Sequence, residues 1–215
     1  MSKLFTIKIK KLRPTQFAIG RVDVDDKREK IKNFSKKKLE EYLELNPVKA
    51  VLGPEEEVYI IDRHHLSRAM YEEGETEIPA KLYGDFHELE SGAFWQKMEA
   101  LGFLWLFDAK GKPAKLKDLP KHIEDLADDP YRSLAWIARE EGAFQKSEVP
   151  FAEFIWANFL RTRVKIEEGK KAFRRAVDEA KLLARTESAK NLPGFLGALP
   201  GCEEAFHSFS KVIKK

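Results

Sequence analysis

The sequence predicts an α+β protein, with mixed strands and helices over residues 1–87 and a mainly helical half over residues 88–215. Three observations carry this. Near the start, Phe5-Thr6-Ile7-Lys8-Ile9-Lys10 alternates apolar and polar side chains, the period of a half-buried strand. Two short apolar runs, residues 48–52 and 58–61, flank Gly53-Pro54 and read as strands joined by a turn. Beyond residue 88 the two-residue period gives way to capped stripes of helical spacing.

The elements follow in order. After the first strand, Ser35 is an N-cap for a helix through Glu44, which Asn46-Pro47 stops. The strand pair around Gly53-Pro54 leads into a short helix from His64 to about Glu73, closed by Gly74. Residues 78–83 return as another strand. In the helical half, Asp128-Asp129-Pro130 places an acid at the N-cap and Pro at the first helical position, and Gly142 ends that helix. Pro150 opens a helix from Phe151 to about Arg163 that is apolar nearly all round and therefore central. Phe173, Ala176, Val177, Ala180 and Leu183 form one stripe on a last amphipathic helix, broken by Leu192-Pro193-Gly194.

With 215 residues, 43% hydrophobic and 35% charged, the chain can bury a full core and is no disordered polymer. No apolar run approaches the roughly 20 residues of a spanning helix, and the first residues lack a secretory h-region. A cytoplasmic chain without a membrane partner is expected. The single Cys202 excludes a disulfide framework and a Cys-based zinc cluster. The net charge of +3 is spread along the chain, so it neither demands nor excludes a nucleic-acid partner.

The chemistry concentrates in Asp62-Arg63-His64-His65-Leu66-Ser67-Arg68-Ala69. A strand ends in an acid and turns into a helix whose first turn carries two imidazoles. Free N–H groups at a helix start attract anions, and Arg68 lies three residues from His65 and four from His64, within reach of either face. Asp62 has the chemistry to hold Mg²⁺ or to act as a base. Against this, adjacent helical side chains diverge by about 100°, so two neighbouring imidazoles seldom chelate one metal, and a strand-ending Asp often only caps the next helix.

Two further groups stand out. Arg132 and Ser133 lie in the first turn after Asp129-Pro130, where a cation opposes the helix dipole unless an anion sits nearby. The simplest anion is Asp128, Asp129 or Glu153; a bound ligand is the alternative. Lys146 follows Gly142-Ala143-Phe144-Gln145, ahead of a helix whose Glu153 and Asn158 need internal partners. Lys36-Lys37-Lys38 reads as a solvated face.

Taken together, Arg13-Pro14-Thr15-Gln16, Asp62 through Ala69, Asp128 through Ala135, Phe151 through Arg161 and Leu192-Pro193-Gly194 resemble the ParB-like nuclease family of bacteria. The resemblance spans roughly residues 5 to 200. It implies the ParB/sulfiredoxin-like fold: a small mixed sheet with helices on its sides, here followed by the helical half. It also implies a nucleotide or its phosphates at the start of the helix after Asp62, with His64, His65 and Arg68 as contacts, Gln16 nearby, and Arg132, Ser133 and Lys146 closing the pocket. Arg63 stands where most relatives have Gly, and Leu66 where some have Arg, with Arg68 one turn along as a substitute. Sulfiredoxin chemistry needs a Cys where this chain has His64 and His65. Serine kinases of the fold use a glutamate where this chain has Thr15-Gln16, and Gln takes no proton from a hydroxyl. No convincing helix-turn-helix follows residue 88.

The leading expectation is a nucleotide-binding protein for ATP, ADP or CTP that performs phosphoryl transfer or nucleotide hydrolysis, with Asp62, His64 and His65 catalytic and Mg²⁺ on Asp62. The alternatives are a metal-dependent nuclease acting on DNA and a non-catalytic module that senses a nucleotide or DNA.

Overall fold

The computed structural model describes residues 4–212 and divides the chain into two compact units, Met1–Asp128 and Asp129–Lys215. In the first, β1 (Leu4–Lys8), β2 (Leu12–Pro14), β3 (Ala18–Ile19), α1 (Arg21–Lys32), α2 (Lys36–Leu45), β4 (Val48–Leu52), β5 (Val58–Asp62), α3 (His64–Glu72), β6 (Glu77–Asp85), α4 (Ser91–Ala100) and β7 (Ala127–Asp128) follow in order. Five strands form a mixed sheet in the order β1-β6-β4-β5-β2, and β3 pairs with β7. β4 runs antiparallel to β5 and parallel to β6, while β2 lies parallel to β5.

Strand alternation sorts the side chains onto two faces. Val48, Ala50, Ile60, Ile78 and Ala80 join Val24 and Ile31 of α1 and Leu66, Ala69 and Met70 of α3 in the larger core. Val51, Tyr59 and Ile61 point the other way and meet Phe94 and Met98 of α4. β5 is thus covered on both faces and carries its last residue, Asp62, to the start of α3.

The expected local elements are present. Ser35 accepts a hydrogen bond from the Lys38 N–H at 3.3 Å and caps α2. Gly74, at φ 84°, follows α3. β1 is shorter than its alternation suggests, because residues 9–11 form a 3-10 turn that keeps Ile9 buried while redirecting the chain into β2. α1 has no counterpart in the sequence reading. Its only buried apolar residues are Val24 and Ile31, and it is held to the end of α3 by Arg21–Glu72 at 2.6 Å and Arg28–Glu73 at 2.7 Å.

The expected division at residue 87 falls instead after Asp128. α4 packs on the second face of the sheet, the Trp105 N–H donates to the Thr15 carbonyl at 3.0 Å, and β7 pairs with β3. Residues 88–128 therefore complete the α/β unit. Between α4 and β7 they hold only two 3-10 turns, not the helices expected there.

The second unit holds α5 (Pro130–Glu140), α6 (Ala152–Arg161), α7 (Lys170–Leu183) and α8 (Cys202–Val212). The Asp129 carboxylate accepts from the Tyr131 and Arg132 N–H groups and pairs with Arg161 at 2.6 Å. Trp156 stacks on Phe144 at 4.0 Å in the core, with the α7 stripe Ala176, Val177, Ala180 and Leu183 buried around it. α7 is not the last helix; α8 follows the break at Leu192-Pro193-Gly194. Gly194 sits at φ 74° with its Cα against the Gln145 backbone, where any Cβ would meet the Gln145 carbonyl oxygen at 2.1 Å. Among the described residues no helix is long and apolar enough to cross a membrane.

Candidate functional site

The turn between β5 and α3 is built on Arg63, whose φ of 79° and ψ of 24° place it in the left-handed region. Glycine enters that region freely; a side chain there costs roughly 1 kcal/mol. Asp62 holds the turn in place. One of its oxygens accepts the Arg63 N–H at 2.7 Å and the other pairs with Lys49 at 2.9 Å. Burial pushes the Asp62 carboxyl up, but Lys49 and Arg63 outweigh it and hold the group below the usual carboxylate range.

The two imidazoles face inward. His64 is 3% exposed, and its Nε2 accepts the Thr15 N–H at 3.3 Å. Burial lowers its pKa to about 4 against the opposing pull of Asp62, so it is neutral at pH 7. The His65 Nε2 accepts the Gly20 N–H at 2.9 Å and lies 3.7 Å from the Asp23 carboxylate. Thr15 Oγ1 donates to the Ile60 carbonyl at 2.8 Å, and the buried Gln16 amide donates to Ala18 O at 2.6 Å. Together they pin residues 15–20 alongside the start of α3.

Arg68 does the same for a second segment. Its Nε donates to Glu72 at 2.6 Å, and its Nη1 lies 3.0 to 3.2 Å from the carbonyls of Ile123, Glu124 and Leu126. Glu72 also receives Arg21, and these guanidiniums, Arg21 foremost, draw its pKa down to about 2 against burial.

The structure therefore brings Gln16, Asp62, His64, His65 and Arg68 into one region of the first unit, but with their polar atoms engaged internally. Two cations that sequence reasoning did not assign to the site stand at the turn: Lys49, which among the described residues pairs with Asp62 alone and lies 5.7 Å from the Tyr83 ring, and Arg63. Among the described residues the Arg63 side chain has no hydrogen bond or ion pair, and its Nε is buried. The signal for Arg63 was the side chain standing at the glycine position. Among the same residues the buried Ser67 Oγ also lacks a hydrogen-bond partner.

Arg132, Ser133 and Lys146 belong to the second unit. Arg132 is 7% exposed with its guanidinium 5.4 Å from the Phe154 ring centre, Ser133 is buried, and Lys146 is exposed. Asp129 and Glu153, two of the anions expected near Arg132, pair with Arg161 and Arg139.

The donor set at Asp62 does not fit Mg²⁺. Among the described residues no group of three or more His, Cys, Asp or Glu side chains could hold a metal ion, and a lysine ammonium already sits on the Asp62 carboxylate. The imidazole of His64, two residues on, spends its Nε2 on Thr15.

Comparison with known proteins gives a match, over residues 5–162, to a family model described as "Putative ParB-like nuclease". Among solved structures, the crystal structure of protein Atu1540 from Agrobacterium tumefaciens is similar at 37% identity and a TM-score of 0.85, over 93% of this chain and 100% of that one. No curated protein matches.

Proposed function

The chain belongs to the ParB-like nuclease family, and we propose that it binds the phosphates of a nucleotide, or of another phosphorylated small molecule, at the start of α3. One observation carries this: Arg63, the residue preceding α3, holds a strained left-handed conformation, and among the described residues its guanidinium has no hydrogen bond or ion pair. Strain of this kind persists where surrounding structure enforces it, and it clusters at ligand sites. A phosphate oxygen at that turn accepts from the amides, with Arg63 and Lys49 neutralising its charge. His64, His65, Gln16 and Arg68 are positioning residues that fix the turn.

The role is binding rather than group transfer. Asp62, held ionised by Lys49, is a weak base, and the neutral His64 is closed off from solvent. The same donor set gives no support to metal-dependent cleavage of DNA.

The test uses Arg63→Gly, which keeps the backbone and removes the guanidinium. Calorimetric titration with pyrophosphate, ATP and CTP should show about tenfold weaker binding, the weight of one charge-assisted hydrogen bond. Thermal unfolding should show the variant slightly more stable, by roughly 1 kcal/mol of released strain. Unchanged affinity for all three ligands would overturn the proposal.

A further inference from the structure

At the opposite end of β5 from Asp62 lies a cavity of about 460 Å³, within the range of small-ligand pockets. Its aromatic wall is Tyr59 and Trp95, whose rings meet edge to face at 5.1 Å. Tyr59 also packs on Phe94 at 4.8 Å, and beneath it Gly53 leaves no room: a Cβ there would stand 2.7 Å from the tyrosine ring. The wall is rigid before any ligand arrives, so binding orders little. Among the described residues neither Tyr59 Oη nor Trp95 Nε1 has a hydrogen-bond partner, which leaves two donors for whatever enters.

Leu116, Lys117, Leu119, Pro120 and Lys121 supply another side, with Lys117 and Lys121 exposed and neither in an ion pair among the described residues. Of the two acids in the lining, Glu57 is spent on Arg13 in a bidentate pair at 2.6 Å, an arrangement completed by Arg13 Nη1 donating to the Lys121 carbonyl at 3.0 Å. The other, Glu55, sits at the β4–β5 turn at φ 58°, followed by Glu56 at φ 56°. Two successive left-handed glutamates where Asn-Gly is the easy choice are strained, and the strain sits at the rim of this cavity.

We infer that this cavity is a second binding site, distinct from the α3 turn, for one nucleotide unit. The base lies against Tyr59 and Trp95, and a single phosphate reaches Lys117 and Lys121. Base–aromatic stacking accepts any base, so recognition here rests on ring and charge. Glu55 opposes a highly charged tail, which favours a monoester or diester over a triphosphate. The same chemistry is offered by a free mononucleotide and by one residue of a single-stranded nucleic acid.

The test is titration of the full chain with AMP, ATP and a short oligo-dA strand, followed by calorimetry. Lys117→Ala/Lys121→Ala alters only exposed side chains and should weaken AMP or oligo-dA binding about tenfold. Tyr59→Phe should weaken it a few-fold, and both losses should persist in an Arg63→Gly background, in which the α3-turn contact is already removed. AMP binding of comparable strength identifies the free nucleotide as the source; binding of the strand alone identifies nucleic acid. The inference is overturned if neither AMP nor oligo-dA binds, if the double lysine variant binds both as tightly as the unaltered chain, or if Arg63→Gly alone abolishes binding.

Discussion

At one end of β5, His64 and His65 accept hydrogen bonds from the Thr15 and Gly20 backbone, and Arg68 grips three carbonyls from a distant segment. At the other end, among the described residues, Tyr59 and Trp95 keep their donors, and Lys117 and Lys121 carry unpaired charge. The first end holds the residue types that look most chemical, yet most of their polar atoms act as brackets for the backbone. The second holds residues with no motif between them, but with their binding capacity unspent. A buried polar group must be satisfied, so an imidazole in a core serves the fold first. A ligand can claim only what the fold has left over.

The largest effect expected from breaking a bracket is that of Arg68→Ala. It removes the Glu72 pair and takes the Arg68 donor from the carbonyls of Ile123, Glu124 and Leu126, of which Ile123 keeps the Leu126 N–H at 3.4 Å, at a cost of about 3 kcal/mol. Urea unfolding measures it. A loss below about 1 kcal/mol would mean that residues 123–126 are held by something else, and the contrast between the two ends would lose its energetic basis.

His64 provides the next test, in pH. Its pKa is 6.5 in the unfolded chain and about 4 in the folded one, so the unfolded state takes up the proton first. The stability it contributes is complete above pH 6.5 and is lost as pH falls from 6.5 toward 4. By pH 5 the loss reaches about 2 kcal/mol, since one proton taken up by the unfolded state alone costs roughly 1.4 kcal/mol for each pH step. In His64→Gln, whose side chain can still accept from Thr15, this slope should vanish. The window is separable from that of Glu72, whose pKa falls from 4.5 to about 2 and whose contribution is lost only as pH drops through that range.

What the sequence made legible was what neighbouring residues decide. Ser35, Asp129-Pro130, Gly74 and the strand pair around Gly53 act within a few residues of themselves, and each stands where its pattern placed it. α1 was not legible because its cohesion is non-local: Arg21 and Arg28 reach acids at the end of α3 some 45 residues or more away. The unit boundary was missed for the same reason, since Trp105 joins the first unit through a backbone bond to Thr15. At the site, the sequence located the turn but not the direction of its side chains. That His64 is a neutral acceptor depends on the loop after β2 closing over it, and no spacing in the sequence records this.

At the open end, Arg13→Lys replaces a two-pronged guanidinium with a single ammonium. The pair with Glu57 is about one-third exposed, so stability should fall by only about 1 kcal/mol in thermal or urea unfolding. The ligand effect should be clearer. The charge of the lining is unchanged, but the Lys121 carbonyl loses its Arg13 Nη1 donor, so the lysine-bearing side of the cavity is less firmly held and AMP binding should weaken in step. A variant that lost stability but kept AMP affinity would separate the Arg13 bracket from the binding surface.

The smallest expected change in stability, and the most discriminating in function, is that of Asp62→Asn. The Asp62–Lys49 pair is roughly 40% exposed on both sides, and such pairs contribute at most about 1 kcal/mol, with the Arg63 N–H still able to donate to the amide oxygen. Stability should therefore hardly move. Phosphate affinity at the α3 turn should rise a few-fold, because a carboxylate held ionised beside the site is removed and Lys49 is released to the ligand. A catalytic base would behave in the opposite way: its loss would leave binding intact and abolish turnover. Titration with pyrophosphate separates the two. Tighter binding in Asp62→Asn places Asp62 with the brackets, whereas unaltered binding together with loss of a measured nucleotide hydrolysis would make it the one residue at this end whose chemistry the fold had not consumed.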